Sequence, residues 1–589
     1  MTDVDGKYQL SAPSNGTLVF TMVGMKDAVV AVNGKAVVNV TMQEDAEMLE
    51  EVVMVAYGSQ KKENLSGAVA SINVGKTLES RPLTDVGRAL QGSTPGLIVT
   101  TTSGALGGSP AIKIRGTTST LGGGSGNPLI LVDNVEVPDL SYVNPDDIES
   151  ISTLKDASTT SIYGARAAFG AILITTKKGS KDGQVKVNYS SNFAWATMTT
   201  MPEFTRADLA QQYSLDQKNG LLATPIKQFN PYNGYVISEE VIAKTAQWIQ
   251  KYGNGAGLGR EMVEGRDFDY QSVAGPAMYY RPWDVQDLFY KDWSPQQNHN
   301  LSVNGGNDKM QYNLSAGLMT QKGILKQFED FYNRKSVSAN LSSKVHDRIT
   351  LRGGFMFTNT VQEDPMSFYE SGTDKQTDIY SQTYYIYRWH QVNPYGTYNG
   401  KEFRNGISEF MQAKSKVTEN TYSRVNLGVS VDLFEGLKAN FDYTYTQTNV
   451  FTHRQGGNAT AINIFNAIPA GKTFDDMYET YTTSGYANSA TYDSSKNMRN
   501  AYNGNLSYEK SFGSHNLKAL VGTNIEDAEY VYHRSRALHL IDSSKPEPNL
   551  ANGTQSIASS HTWWSVAGVF ARVNYDYKGK YLVEGNIRY

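Results

Sequence analysis

"MQYNLSAGL", Met310–Leu318, is the stretch on which the fold turns. Its period is two. Met310, Tyr312, Leu314, Ala316 and Leu318 fall on one face, and Gln311, Asn313, Ser315 and Gly317 on the other. Successive side chains of an extended chain point to opposite faces, so this is a strand with one apolar and one polar side. The pattern recurs on the C-terminal side. "ITLRGGFMF" sets Ile349, Leu351, Phe355 and Phe357 against Thr350 and Arg352. "VNLGVSV" sets Val425, Leu427, Val429 and Val431 against Asn426, Gly428 and Ser430. "LKANFDYTYT" sets Leu437, Ala439, Phe441, Tyr443 and Tyr445 against Lys438, Asn440, Asp442 and Thr444. Val569, Ala571, Val573, Tyr575 and Tyr577 oppose Arg572, Asn574 and Asp576.

Connection lengths decide what kind of sheet these strands build. Gly305–Lys309, Ser343–Arg348, Asp432–Gly436 and Lys578–Lys580 are tight, whereas 359–420, 447–500 and 524–561 are long and polar. Short and long connections that alternate from residue 181 onward are the rhythm of an outer-membrane barrel, whose ~10-residue strands are apolar toward lipid and polar toward the lumen. Tyr at strand ends suits the interfacial girdle. The competing reading is a soluble all-β protein, a propeller or tandem sandwiches, but no blade-like repeat of fixed period is present.

Bulk properties agree. At 589 residues the chain is too long for one ordinary core, and about three or four units are expected. A net charge of −4 with no basic block gives no bias toward nucleic acid. The absence of cysteine excludes disulfides, thiol catalysis and cysteine-ligated metals. No run of ~18 apolar residues marks a membrane-crossing helix.

Residues 61–180 differ in texture. Short strands are expected at Ile98–Thr101 and Ala111–Arg115, and "PLILVDNVEV" reads as one continuous buried strand. Ile148–Lys155 reads as a strand followed by an Asp156 N-cap, a short helix to Tyr163 ended by Gly164, and a strand over Gly170–Lys177. This is a small α+β domain just upstream of a barrel. Barrels of about 22 strands have a lumen wide enough to need a plug.

"LQGSTPGLIVTTTSGALGGSPAIKIRG", "LILVDNVEV" and "IESISTLKDASTTSIYGARAAFGAILITTKKG" resemble the plug of TonB-dependent outer-membrane transporters, and more narrowly the SusC/RagA-type branch. The resemblance covers about 44–190, with plug motif residues at Arg115, Gly116, Asp133, Asp156, Tyr163 and Gly164; the family usually shows Gly where this chain has Asn134. It implies that "LEEVVMVAYG" is the TonB box: Leu49, Glu50, Glu51, Val52, Val53, Met54, Val55, Ala56, Tyr57 and Gly58. An unpaired strand on a tether can add to another protein's sheet edge, which fits capture by TonB. The alternative is an edge strand of the upstream domain. Residues 1–43 resemble part of a carboxypeptidase regulatory-like β-sandwich, and 44–60 form the linker that carries the box. "DVDG" reads as a tight Asp5-Gly6 turn rather than a calcium loop, because no Glu follows at the twelfth loop position.

The expected architecture is thus mostly β: a partial sandwich, an α+β plug domain, and the first part of a large antiparallel transmembrane β-barrel of about 22 strands. Only 10–12 strands can be placed in residues 181–589. The expectation is therefore the N-terminal part of a transporter, with open edges that lipid does not tolerate. The resemblance implies TonB-dependent import of a nutrient across the outer membrane of a Gram-negative bacterium, with a SusD-like lipoprotein as partner. The nutrient is an oligosaccharide or, in the RagA direction, a peptide; a non-transporting receptor or adhesin is the alternative. No nucleophile elbow, H-E-x-x-H pair or complete phosphate loop is present, so neither an enzyme, a metal nor a cofactor is expected. The loop "YSQTYYIYRWHQVNPYGTYNG" offers Tyr384, Tyr385, Tyr387, Trp389 and Tyr395 as sugar-stacking candidates, against the alternative that they pack the loop or meet the lipoprotein. In "IKIRG", Arg115 is a candidate for a plug–wall ion pair, against a solvated charge.

Overall fold

The computed structural model describes residues 8, 10, 13–20, 28–42, 52–55, 58–61, 69–73, 85–101, 106–116, 126–201, 203–232, 235–255, 257–270, 275–366, 390–481 and 488–589. Near the N-terminus Thr17–Phe20 pairs antiparallel with Ala28–Ala31. Val52–Val55, expected as a lone strand, instead pairs antiparallel with Gly58–Lys61, so the segment closes on itself as a hairpin. Leu49, Glu50, Glu51, Ala56 and Tyr57 lie outside the described residues.

The plug contains strands Val69–Asn73 (β1), Leu97–Thr100 (β2), Ala111–Ile114 (β3), Leu129–Val132 (β4), Val135–Glu136 (β5), Ile148–Leu154 (β6) and Ala171–Thr176 (β7). Five form one sheet in the order β1-β6-β7-β4-β5, while β2 and β3 pair separately. All six residues of β7 are buried, because the strand is central and both of its faces are covered. "PLILVDNVEV" is not continuous. Asp133 and Asn134 both take positive φ, 50° and 67°, and turn β4 back into β5. Two adjacent left-handed residues make the primed turn whose twist suits a two-residue hairpin, a place for Asn, Asp or Gly. The helix after β6 is also broken: Ala157–Thr160 is α, and Ser161–Ala167 is a 3-10 stretch in which Gly164 has φ 67°.

Eleven long strands follow, in one sheet and in chain order. They are Lys186–Ala196 (β8), Ser294–Gly306 (β9), Met310–Lys322 (β10), Phe331–His346 (β11), Ile349–Pro365 (β12) and Ser415–Phe434 (β13). Leu437–Gln455 (β14), Ser489–Phe512 (β15), His515–Leu538 (β16), Gln555–Tyr577 (β17) and Tyr581–Arg588 (β18) complete the sheet. Each is antiparallel to the next, as hairpin connection requires. The opening stretch shows which face is which. Leu314 and Leu318 are 48% and 56% exposed, while Asn313 and Ser315 are 3% and 5% exposed against the plug. A soluble sheet buries its apolar face, so this inversion is the mark of a lipid-facing wall.

Strand length departs from expectation. β15 and β16 have 24 residues each, and the long connections shrink to 366–414, 456–488 and 539–554. At ~3.3 Å per residue and a ~40° tilt, such strands rise about 60 Å, over twice the ~25 Å apolar band. Polar residues read as loop are the outer ends of strands, where water replaces lipid and alternation no longer needs apolar side chains.

An insertion at 197–293, between β8 and β9, was not legible as a unit. It carries helices Ala207–Gly220 (α1) and Glu239–Tyr252 (α2). Ser238 caps α2 by accepting from Val241 N at 3.2 Å, and Gly253 ends it at φ 63°. The insertion shares one core with the other long connections: Phe268 and Tyr279 pack on Phe403 and Phe474. Tyr395 belongs to this core and is 1% exposed, so it packs the loop and is not available for stacking on a solute. Tyr384, Tyr385, Tyr387 and Trp389 lie outside the described residues.

Among the described residues the edge strands β8 and β18 do not pair with each other. Val187, Tyr189, Phe193 and Trp195 of β8 are 58–64% exposed, and its inward residues are uncovered as well.

Candidate functional site

The plug sits against the polar face of the wall, and the seam between them is the candidate site. Four charged groups meet there. Arg166 of the plug reaches Glu526 of β16 with both terminal nitrogens, at 2.8 and 2.7 Å, and Glu136 of β5 at 3.0 Å. Arg499 of β15 reaches Glu136 at 2.8 Å and also Glu526. Two cations and two anions thus alternate, and each carboxylate bridges plug and wall. Glu526 is the most enclosed, with its side chain 6% exposed, whereas Arg166 and Glu136 are about one-third exposed. Charge-assisted pairs with fixed guanidinium geometry orient as well as attract. Burial charges a desolvation cost against them, so they specify a seating more than they add stability.

The rest of the seam mixes hydrogen bonds with apolar contacts, in which Met319, Tyr332, Met356, Tyr422 and Phe570 of the wall pack against the plug. Arg424 of β13 donates to Val132 O at 2.9 Å and approaches Asp133 at 3.5 Å. Thr358 of β12 donates to Tyr142 O at 2.7 Å, and Tyr142 stacks on Tyr422 of β13 at 5.1 Å. Asn144 donates to Asn300 Oδ1 at 2.9 Å, and Arg588 donates to Ile162 O at 2.6 Å. Wall strands β9, β12, β13, β15, β16 and β18 thus hold the plug by polar groups that water can replace. Such a seam can open at modest cost, because polar groups re-pair with solvent.

The motif residues are distributed as follows. Arg115 does not reach the wall; it pairs with Asp156 at 2.5 Å inside the plug and takes φ 56° beside Gly116 at φ 67°. The turn out of β3 directs its side chain back toward the start of the short helix. The plug–wall role falls instead to Arg166 and Glu136. Asp133 accepts from Thr176 N at 3.0 Å and from Thr176 Oγ1 at 2.7 Å, locking the β4–β5 turn onto β7. Tyr163 is buried with Phe570 of β17, and Gly164 leaves room for Arg588, whose side chain passes 3.1 Å from where a β-carbon would stand.

Beside the seam, Asp85 is an unusual carboxyl. It caps Val86–Ala89 by accepting from Gly87 N at 2.7 Å. Ser109 donates to Asp139 at 2.6 Å and lies 3.5 Å from Asp85. Burial, and secondly the neighbouring Asp139 charge, push the Asp85 pKa up to about 6.

Sequence reasoning missed Arg499 and Glu526. The available signal was a charge on the polar face midway along each of two consecutive long strands, as in "NMRNAYNG" and "TNIEDAEY". Nothing local in those strings names the partner across the lumen.

A plug of mixed β and α structure, seated on the polar face of a lipid-facing antiparallel wall, is the architecture of a plugged β-barrel. Comparison with known proteins agrees: the family described as TonB-dependent Receptor Plug Domain matches residues 61–171. A TonB-dependent receptor of Formosa agariphila is 26% identical over 600 residues, covering 99% of this chain and 52% of its own length. SusC of Bacteroides thetaiotaomicron is 25% identical over 619 residues, covering 100% of this chain and 53% of its own length. The fold is similar to that of the RagAB peptide importer in its open-open state, with TM-score 0.66, 20% identity, 91% of this chain covered and 56% of that chain. The chain thus carries a TonB-dependent receptor plug domain and is similar over nearly its whole length to SusC and to the RagAB importer fold, and the relatives it matches are receptors. It spans about half the length of the curated relatives it matches.

Proposed function

We propose that the chain supplies the plug and one wall of a TonB-dependent importer in a Gram-negative outer membrane, and that the nutrient is an oligosaccharide. The observation that carries the reading is the plug held on the lumen face by replaceable polar contacts and one four-membered charge cluster. Such a plug blocks passage at rest and releases under a pull. The pull acts through Leu49–Gly58, with TonB adding a strand to the Val52–Val55 segment. A SusD-like lipoprotein covers the external loop core. Aromatic Tyr384, Tyr385, Tyr387 and Trp389 favour sugar rings over peptide as cargo. The RagAB neighbour is a peptide importer, which keeps peptide as the second reading.

The test is uptake with Val53→Pro. Proline removes an N–H and resists a ladder. In outer membranes carrying the receptor, uptake of labelled oligosaccharide is expected to vanish while surface binding persists. Unchanged uptake ends the proposal for the box, and uptake of peptide alone reverses the cargo.

A further inference from the structure

A second feature of the seam lies nearer the tight turns. A cavity of about 490 Å³ separates the plug from the wall. The plug contributes the Asp133–Asn134 turn and the Thr175–Gly179 segment, and the wall contributes β10 to β15 near their tightly connected ends. This volume falls in the ~300–1,000 Å³ range of small-molecule sites. Seven of its nineteen lining residues are side-chain amides, Asn134 of the plug and Gln311, Asn340, Asn426, Asn440, Asn503 and Asn505 of the wall.

Three observations make this more than a wet gap. First, its charges balance and most are already engaged. Arg352 binds Asp442 at 2.7 Å, Asp133 is held by Thr176, and Lys178 is exposed. Second, the amides are pre-aligned: Ser430 donates to Asn440 Oδ1 at 2.6 Å and Asn440 donates to Asn505 Oδ1 at 2.9 Å, while Asn426 Oδ1 is buried without a partner. Third, two glycines make room for lining side chains. A β-carbon at Gly354 would collide with the Asn426 amide, and one at Gly428 with Asp442 and Arg352. These side chains lie flat across the strands only because the neighbouring position has none.

We propose that this cavity is a solute site for neutral polyhydroxylated molecules, a short oligosaccharide segment, on the inner side of the plug. Amides such as Asn426 and Asn440 keep donor and acceptor capacity beyond their internal bonds, which matches hydroxyls that do both, whereas the Asn340 amide already donates to Thr176 and Lys177. Arg352 and Asp442 neutralise each other, which leaves Lys178 at the exposed rim as the cavity's unengaged charge among the described residues, so the interior favours neutral solutes over ions that would lose their hydration. No aromatic ring lines the cavity among the described residues, so recognition there rests on hydrogen bonds. The site's place on a transport path rests on the import reading; its ligand chemistry does not.

The cysteine-free chain allows a clean test. Ser342→Cys places a single thiol in the lining. Its labelling by a small methanethiosulfonate is timed in native outer membranes, with maltotriose, cellotriose or triglycine as probe. At a probe concentration twice its dissociation constant, labelling slows about threefold. Both sugars are expected to protect and triglycine is not. Adding Asn426→Ala and Asn440→Ala is expected to abolish protection without changing the unprotected rate. No protection by either sugar, equal protection by triglycine, or protection that survives the two asparagine changes overturns the proposal. Repeating the assay with Val53→Pro separates the two readings, since protection is expected to persist there even when uptake is lost.

Discussion

Replacing Glu526 by glutamine keeps the shape of the four-charge cluster and removes one anion. Arg166 and Arg499 then share only Glu136, which is partly exposed. Breaking a buried pair by removing one partner costs ~3–5 kcal/mol. Because Arg166 is about one-third exposed, and water screens part of its charge, the lower end of ~3 kcal/mol applies. At 1.4 kcal/mol per tenfold, the equilibrium between seated and released plug shifts roughly 100-fold. The assay is amide hydrogen exchange over β4 and β5, with β2 and β3 as internal control. The control pair lies outside the plug's main sheet. Exchange in β4 and β5 is expected to accelerate roughly 100-fold and the control to change little. The double variant Glu526→Gln with Arg166→Gln is expected to exchange more slowly than the sum of single effects implies, because Arg499 and Glu136 remain paired. Unchanged exchange in a folded Glu526→Gln protein refutes the view that this cluster seats the plug.

Asp85→Asn retains the N-cap acceptor and removes a carboxyl whose folded pKa is about 6. An acid with a raised folded pKa binds more protons folded than unfolded, so its contribution falls as pH rises from about 4 to about 6. Urea midpoints of the plug should fall across that window in the parent and not in Asp85→Asn, which gains ~1–3 kcal/mol at pH 7. Tyr395→Ala empties a core site and is expected to cost ~3–5 kcal/mol in the external loop core, seen as faster trypsin cleavage there. Tyr385→Ala with Trp389→Ala is expected to weaken glycan binding to outer membranes without that added cleavage; unchanged binding removes these rings as sugar contacts. The purified 589-residue chain is expected to show no heat-modifiable, detergent-stable monomer, because among the described residues neither edge strand of the sheet pairs with a further strand.

The wall was legible because two solvents act on it. Leu314 and Asn313 sit one residue apart yet answer to lipid and lumen, and that alternation is written locally. The plug strands were legible for the related reason that Ile172 and Ile174 face a conventional core. The turn at Asp133–Asn134 was placed by the family resemblance but not by the residue pattern, because apolar residues flank it on both sides, although the Asp-Asn pair is itself a turn signal. Strand ends were misplaced because above the lipid both faces are wet. Arg115 was a candidate for the wall, against a solvated charge, on alternation alone; its positive φ, invisible in the sequence, leads its half-exposed side chain to Asp156 within the plug. Arg166 and Glu526 are 360 residues apart, and only the fold brings them together.

The length of β15 and β16 has a mechanical consequence. A barrel that ended at the lipid surface would carry its loops on short, separately swaying stalks. Here hydrogen-bonded ladders continue to the outermost residues of both strands, with Ser489 paired to Leu538, so the rim moves as a stiff collar. Loops rooted on a stiff collar keep their mutual spacing when the plug beneath them is pulled. On the import reading proposed above, a pull from the inner face is taken up by the seam rather than by these two strands, so the mouth holds its shape while the floor gives way.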